Sequence, residues 1–489
     1  MLLTISSPRQ WPSPRAQRVG NYEREHDDED DLVAATECCG KPCFMAFGDT
    51  IAAISTPIGE GALAVIRLSG NAALSVLNRV FRSSVALENF EPRRVHFGHI
   101  HDGATKIDDV LATFFRGPAS YTGEDVVEIS CHGGVLVTRR VLGLVLGAGA
   151  RMANPGEFTQ RAFLNGKLDL TQAEAVMDLI RAQTELALRA ANEQLAGHLG
   201  REVTEIRELI LTILAHVEAY IDFPDEEIDP DTGSALLARI LQLEKRLDKL
   251  LATADQGRVL RHGLRTVIYG APNVGKSSLL NLLLGYERAI VTDTPGTTRD
   301  TIEEVISIRG IPVRLIDTAG ARESSDLVET EGIRRTDHEV ENADLIIRVV
   351  DSSQPRSEQE LIGRPKGILL LNKADLGVHS DWSKIGGIIF SCKERTGLED
   401  LNQAIWDQVM GGAVKLTDVR VAINARHQAA LQSARLLLET ARQSLEEGKS
   451  PEFVSIELRG ALDAVGEVVG KMDTEDLLGK IFSEFCIGK

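Results

Sequence analysis

The sequence predicts a multidomain chain: an α+β domain, then an all-helical domain made discontinuous by an inserted α/β P-loop domain. Three observations carry this expectation. β-rich stretches broken by Pro and Gly turns dominate from residue 48 to 167. Long amphipathic stretches of helical period appear twice, before and after a central segment. That central segment opens on a strand that runs straight into "GAPNVGKSSLLNLLLG", a glycine-rich phosphate loop followed by a helix.

At 489 residues the chain is long for one core, and about 100–200 residues per domain suggests three folded units. Residues 1–47 stand apart, with a Ser/Pro/Arg-rich opening and then the acidic run "NYEREHDDEDD", and predict a disordered extension or an overlong gene start. The "CCGKPC" cluster within them has no histidines at ligand spacing. Residues 48–167 form the α+β domain: "TIAAISTPIGEGALAVIRLSG" reads as strand, turn and strand, "DDVLATFF" and "DVVEISCHGG" as further strands, and "GGVLVTRRVLGLVLGAG" as a helix. Residues 168–263 form the first part of the helical domain, periodic to about Leu251 and interrupted at "IDFPDEEIDPDTG". Residues 264–415 are the insert, and 416–489 the second helical part, ending in "CIGK".

Composition narrows the function. A formal charge of −18 argues against a sequence-independent nucleic-acid coat, so any RNA contact is local or shared with a partner. Aromatic residues make up 4%, little material for base-stacking platforms. The six cysteines form no disulfide framework, which predicts a cytoplasmic, reduced protein. No apolar run approaches the ~18 residues of a membrane span, so no membrane association is expected.

The phosphate loop runs from Gly270 to Ser277. Its glycines let the N–H groups around Asn273, Val274 and Gly275 converge on phosphates, Lys276 reaches the β- and γ-phosphates, Ser277 ligates Mg²⁺, and Ser278 continues the helix N-terminus. Downstream, "RLIDTAG" places Asp317, Thr318, Ala319 and Gly320 after an apolar strand, where Asp317 can hold magnesium through water and Gly320 can meet the γ-phosphate. "GILLLNKAD" supplies Asn372, Lys373, Ala374 and Asp375, whose carboxylate accepts from N1 and the exocyclic amine of guanine, a donor pair adenine lacks. "FSCKERTG" adds Ser391, Cys392 and Lys393 behind the base. Together these predict a Ras-like, GTP-hydrolysing G domain.

Between the P-loop and Asp317 lies "AIVTDTPGTTRD", in which Thr298 is the switch threonine that ligates Mg²⁺. A Ras-like protein places Gln after "DTAG" to orient water; here that residue is Ala321. Among the acids that follow, Glu329 is a candidate to position the water, the alternative being a solvated charged face.

The combination of "GAPNVGKSS", "TDTPGTTRD", "DTAG", "NKAD", the split helical domain, "SYTGEDVVEISCHGG", "ANPGEFTQRAFLNGKLDLTQAEAVMDLI" and terminal "CIGK" resembles the tRNA uridine 5-carboxymethylaminomethyl modification GTPase family, MnmE (TrmE). The resemblance covers about 49–489 and carries several implications. Asn273, with Thr292, Thr294 and Thr297, is expected to hold K⁺ where an arginine finger would act, under a loop of Thr292, Asp293, Thr294, Pro295, Gly296 and Thr297 that closes over that ion. Glu329 matches the family's catalytic glutamate. The N-terminal domain is implied to dimerise and to bind a tetrahydrofolate derivative (5-formyl- or methylene-tetrahydrofolate) through Arg67, Glu128 and Lys167. Cys486 and Lys489 are implied to sit near that folate. The implied assembly is a homodimer joined by the flavoprotein MnmG (GidA) in a heterotetramer, and the implied reaction modifies the wobble uridine of certain tRNAs.

Two residue-level alternatives stay open. A GTPase switch for RNA or ribosome assembly would carry a basic appendage after the G domain, and the acidic helical tail disfavours it. For Cys486, prenylation fails because Gly488 and Lys489 do not fit the lipid-attachment box. Helix packing or a reactive thiol remain. His132 beside Cys131 reads as a structural histidine.

Overall fold

The computed structural model describes residues 48–222, 233–286, 303–316, 339–356, 367–383, 385–410, 422–470 and 475–483, with Phe485, Cys486 and Gly488. The first domain is a seven-stranded sheet in the order β3-β4-β5-β6-β2-β1-β7. Its strands are β1 (Ile51–Ile54), β2 (Gly61–Ser69), β3 (Phe81–Arg82), β4 (Val95–Asp102), β5 (Thr105–Phe115), β6 (Val126–Gly133) and β7 (Arg151–Met152). Period-two alternation sets its two faces. Ala64, Ile66 and Leu68 of β2 and Val127, Ile129 and Cys131 of β6 bury against α1 (Ala73–Val80) and α2 (Val135–Gly147). The interleaved residues face outward, and antiparallel register sets Arg67 opposite Glu128, which in turn lies opposite Thr113.

Helix α3 (Glu157–Leu164) leads to α4 (Leu170–Arg181), whose N-cap Asp169 forms a reciprocal capping box with Gln172. Next come α5 (Glu185–Leu195), α6 (His198–Asp222), α7 (Gly233–Leu251) and α8 (Ala254–His262). Sequence period predicted helix only to about Leu251. Residues Ala254–His262 are helical as well, in a piece too short for periodicity to register.

The insert contains a six-stranded sheet, β13-β12-β11-β8-β10-β9, parallel except where β9 meets β10. Its strands are β8 (Leu264–Tyr269), β9 (Glu303–Ile308), β10 (Ile311–Ile316), β11 (Leu345–Asp351), β12 (Ile368–Asn372) and β13 (Ile388–Ile389). Its described helices are α9 (Lys276–Tyr286) and α10 (Leu398–Met410). The chain steps from β8 to β10 on one side and to β11 on the other. That reversal places a ligand crevice beyond the carboxyl end of β8.

After the insert come α11 (Ala425–Glu446), α12 (Pro451–Val469) and α13 (Glu475–Ser483). Ile206, Ile210, Ile213 and Val217 of α6, Ile240, Leu243 and Leu247 of α7, Leu431 and Leu438 of α11, and Leu458, Val465 and Val468 of α12 form one core. The three- and four-residue spacings that predicted amphipathic helices are therefore completed only when both halves of the chain meet.

A polar cluster locks the seam. Glu174 accepts from Arg426 Nε at 2.8 Å and Nη2 at 3.1 Å, and its Oε2 lies 2.6 Å from His427 Nε2. His427 Nδ1 takes the backbone N–H of Asn424 at 3.2 Å, so the ring holds its one proton on Nε2 and donates it to Glu174. Burial lowers the pKa of His427, and the cations Arg426 and Arg261 lower it further against the opposing pull of Glu174. Burial would raise Glu174, but His427 and Arg426 hold it well below the ordinary carboxylate range. A histidine depressed on folding stabilises the fold above its unfolded pKa of about 6.5, and that stability is lost as pH falls toward the folded value. Unfolding free energy is thus expected to decline below pH ~6.5 with a slope of up to about 1.4 kcal/mol per pH unit from this group. Denaturant titrations of the wild type and His427→Gln between pH 5 and 8 check this; identical slopes would contradict it.

Candidate nucleotide and N-terminal sites

The phosphate loop starts where β8 ends. Gly275 has φ +104°, and a Cβ there would come 2.2 Å from Asn372 Nδ2, so glycine is required twice over. Asn273 also lies in the left-handed region, at φ +63°, and its side chain is exposed. Val274 is buried and Ser277 and Ser278 are exposed at the start of α9. Lys276 Nζ donates to the carbonyls of Gly270 at 2.8 Å and Ala271 at 2.7 Å. Its ammonium is thereby held over the loop that the N–H groups line.

At the other end, buried Asn372 ties the two halves of the crevice together. Its Nδ2 donates to Val274 O at 2.7 Å, and its Oδ1 accepts from Cys392 N at 3.2 Å. Asp375 Oδ1 accepts from Ser391 Oγ at 2.6 Å, which orients the carboxylate. Lys373, at φ +62°, is pinned by Asp351 Oδ2 at 2.7 Å, and Asp351 is steadied by Ser353 N and Oγ. Sequence reading missed Asp351, which the structure sets in register with Asn372; its place closing the apolar run "LIIRVVD" was the available signal. Ala374 is half-buried, Lys393 is exposed, and burial pushes the Cys392 thiol pKa up. The arrangement presents N–H groups and a cation to phosphates, and a carboxylate to a base with paired N–H donors.

Ser277 and Asn273, both exposed at the loop, fit hydroxyl and amide ligation of Mg²⁺ and K⁺. Thr292, Asp293, Thr294, Pro295, Gly296, Thr297, Thr298, Asp317, Thr318, Ala319, Gly320, Ala321, Glu329 and Lys489 lie outside the described residues, as does "CCGKPC". Among the described residues, no group of three His, Cys, Asp or Glu gathers as a metal site.

In the first domain, Arg67 and Glu128 form a cross-strand pair, Nε to Oε1 at 2.9 Å and Nη2 to the same oxygen at 2.8 Å. The guanidinium lies over the Tyr121 and Phe158 rings, 5.5 and 5.8 Å from their centroids. Lys167, exposed, donates to Pro118 O at 2.9 Å, so the loop carrying Tyr121 joins all three predicted residues. Arg67 is thus charge-matched by Glu128 across the strands. The pairing fixes the orientation of the Glu128 carboxylate.

That loop is braced by residues sequence reading missed. Fully buried Arg161 donates to Asp49, Glu124 and Glu157, and Glu124 also accepts from Ser69 Oγ at 2.7 Å. Burial would raise Glu157, but Arg151, Asn154 N–H and Arg161 hold it below the ordinary range. The four-residue spacing of Glu157 and Arg161 beside apolar Phe158 and Ala162 was the one hint. His132, largely exposed, pairs through Nδ1 with Asp108 at 2.6 Å, a surface hydrogen bond.

The C-terminal segment docks at the same corner. Phe482 and Phe485 bury against Leu170, Ala173 and Met177 of α4, whereas Cys486 is exposed. Helix packing therefore falls to the phenylalanines, leaving the thiol available. Cys486 O accepts from Gly156 N at 3.4 Å, and Gly488 O accepts from Ser55 Oγ at 3.1 Å. Gly488 has φ +99°, and a Cβ there would lie 2.2 Å from Ile54 O. The adjoining Ala53 is in register with Arg67, so the tail ends beside the strand row that carries Arg67 and Glu128.

Strand order, phosphate loop and base-facing residues define a multidomain P-loop protein with a G domain inserted in a helical domain. Residues 50–167 match the N-terminus of the GTP-binding protein TrmE, and residues 170–486 the MnmE helical domain. The tRNA modification GTPase MnmE of Akkermansia muciniphila is 52% identical over 445 residues, covering 90% of this chain and 99% of that protein. The protein of the same name from Alkaliphilus metalliredigens is 45% identical over 461 residues, covering 91% and 100%. That from Geobacillus kaustophilus is 44% identical over 458 residues, covering 90% and 99%. The chain belongs to the MnmE family.

Gly275→Ala combines positive-φ strain with the clash against Asn372 and is expected to weaken GTP binding by about tenfold or more. Fluorescent-nucleotide titration checks this, and an unchanged Kd would remove Gly275 from the site.

Proposed function

We propose that this protein hydrolyses GTP and acts with tRNA as substrate in forming a 5-carboxymethylaminomethyl-type modification at the wobble uridine, in the cytoplasm. The observation that carries the reading is the convergence of the tail bearing Cys486 on the strand row of Arg67 and Glu128, in a chain that also builds the Asn372-clasped nucleotide crevice.

In this reading Asp375 selects guanine by accepting from N1 and the exocyclic amine. Gly275 and its neighbours offer N–H groups to the phosphates, and Lys276 transfers its hydrogen bonds from the loop carbonyls to phosphate oxygens. Mg²⁺ would be held by Ser277 and Thr298, and K⁺ by Asn273 with Thr292, Thr294 and Thr297, supplying fixed positive charge against the developing phosphate charge. Glu329 orients the attacking water, a task that Ala321 cannot perform. A bound tetrahydrofolate derivative would supply the one-carbon unit. Glu128 would accept from its ring N–H groups, Lys167 and Lys489 would meet its acidic end, and Cys486 would present a thiol to the reacting region.

The reading includes a homodimer. The outer sheet face exposes Val95, Phe97 and Leu111, with Phe97 and Leu111 directly opposed across strands, an apolar patch suited to a second copy. It also includes MnmG (GidA) as flavoprotein partner, the assembly that the family resemblance implies. A net charge of −18 fits an arrangement in which a partner shares the tRNA contact.

GTP turnover is expected to rise at least tenfold when sodium is replaced by potassium, measured as phosphate release at constant ionic strength; equal rates would rule out the cation site. Cys486→Ser should leave GTP turnover within about twofold of wild type yet abolish wobble-uridine modification, read by mass spectrometry of tRNA nucleosides from a complemented deletion strain. Full modification by the variant would return Cys486 to a structural role.

A further inference from the structure

We infer that helix α4 is the lever through which the G domain sets the position of Cys486, an inference that rests on the functional reading above. Glu174 and Asp178 lie one turn apart on α4 and share a face. Each holds one of the two points where the chain crosses between the helical and G domains.

Asp178 Oδ2 accepts from Arg261 Nε at 2.6 Å, and Arg261 stands at the end of α8, three residues before β8 begins. Arg261 Nη2 also donates to Gln194 Oε1 at 2.9 Å and to Ala422 O, on the returning chain, at 3.2 Å. Glu174 holds Arg426 and His427 in the first turn of α11, just beyond that return. The two crossings touch at backbone level: a Cβ on Gly257 of α8 would come 2.4 Å from Ile423 O. Two guanidiniums, one imidazole and two carboxylates thus fasten outgoing chain, returning chain and α4 into a single joint.

The joint has a connection to the nucleotide crevice. Arg314 of β10 donates to His262 O at 3.3 Å, and β10 ends at Ile316, directly before the "DTAG" sequence. Leu186 of α5 is part of the G-domain core, and a Cβ on Gly310, at the β9–β10 turn, would lie 3.2 Å from its Cβ. On the other side, Leu170, Ala173 and Met177 of α4 pack directly on Phe482 and Phe485, and Cys486 follows. The path from β10 to the thiol is continuous and is made of packed side chains and charged hydrogen bonds.

The joint also has room for a second arrangement. Among the described residues Arg261 Nη1 is buried without a hydrogen-bond partner, and Arg261 lines a cavity of about 50 Å³ with Asp178, Arg181, Gln194 and His262. A buried donor left unpaired in one arrangement favours any shift that pairs it. Arg261 and Asp178 are on this account positioning residues for the reaction at Cys486.

The test uses the full-length protein and peptide-resolved labelling of Cys486 by N-ethylmaleimide, without nucleotide and with GDP plus aluminium fluoride; buried Cys131 serves as an internal unfolding control. In the wild type the labelling rate should differ between the two states by at least about fivefold, the lower end of ordinary coupling between sites. In Arg261→Met and in the isosteric Asp178→Asn the two rates should converge to within about 1.5-fold, while nucleotide binding and GTP turnover stay within about twofold. Asp178→Asn preserves shape and keeps the test decisive should Arg261→Met not fold. A wild-type rate insensitive to nucleotide, or variants retaining the wild-type ratio, would overturn the lever. A wild type that does not bind GTP would overturn the functional reading instead.

Discussion

The helical core can close only if two stretches of chain separated by a whole domain find each other. Ile210 and Ile213 on α6 have little to bury against until Leu458 and Val465 of α12 arrive. Each fully buried Leu, Ile or Val contributes about 1.5–3 kcal/mol, so the union is strongly favoured once made. The insert adds little to its entropic cost, since loop-closure entropy grows by only about 0.6 kcal/mol per doubling of length. Apolar burial is indifferent to register, however, and the buried polar seam is not. Among the described residues, the hydrogen-bond partners of Glu174 are Arg426 and His427, which must arrive in the right turn of α11. Specificity of assembly therefore resides in a few directional bonds laid over a non-directional core.

The same division recurs at the two sites. In the G domain, packing of Val267, Ile347 and Leu370 makes the sheet, but Asn372 sets the spacing between the phosphate end and the base end of the crevice. In the N-terminal domain, alternation along β2 and β6 makes the sheet, while Arg161 and its carboxylates fix the loop that carries Tyr121. A guanidinium with no exposed surface is tolerated there because Asp49, Glu124 and Glu157 surround it.

Much of this was legible in the sequence. Phosphate and guanine chemistry demand set residue types at set spacings, so the loop at Asn273–Ser278 and the set Asn372, Lys373 and Asp375 could be placed before any fold was known. Period-two and period-3.6 patterns likewise announced β2, β6, α6 and α12. What stayed hidden were charges whose meaning depends on burial. Glu174, Asp178 and Arg261 are examples: nothing local in the sequence separates them from charges that do face water. Short helices such as α8 and α13 escaped because fewer than three turns give periodicity too little length. The terminal cysteine was ambiguous because its surroundings are assembled from Gly156, Ile54 and Ser55, all hundreds of residues away in sequence.

The tail that carries this cysteine is anchored on both sides. Phe485 is buried in the α4 pocket, and Gly488 sits so close to Ile54 that only a residue without a side chain fits. Phe485 and Gly488, three positions apart, thus anchor the chain on either side of Cys486. Its sulfur searches space by hopping among three staggered χ1 wells, on a picosecond-to-nanosecond scale, and not by sweeping an arc. Tether length then becomes a quantity under tight constraint: one residue more or fewer between the two anchors would change where the thiol sits, with its chemistry untouched.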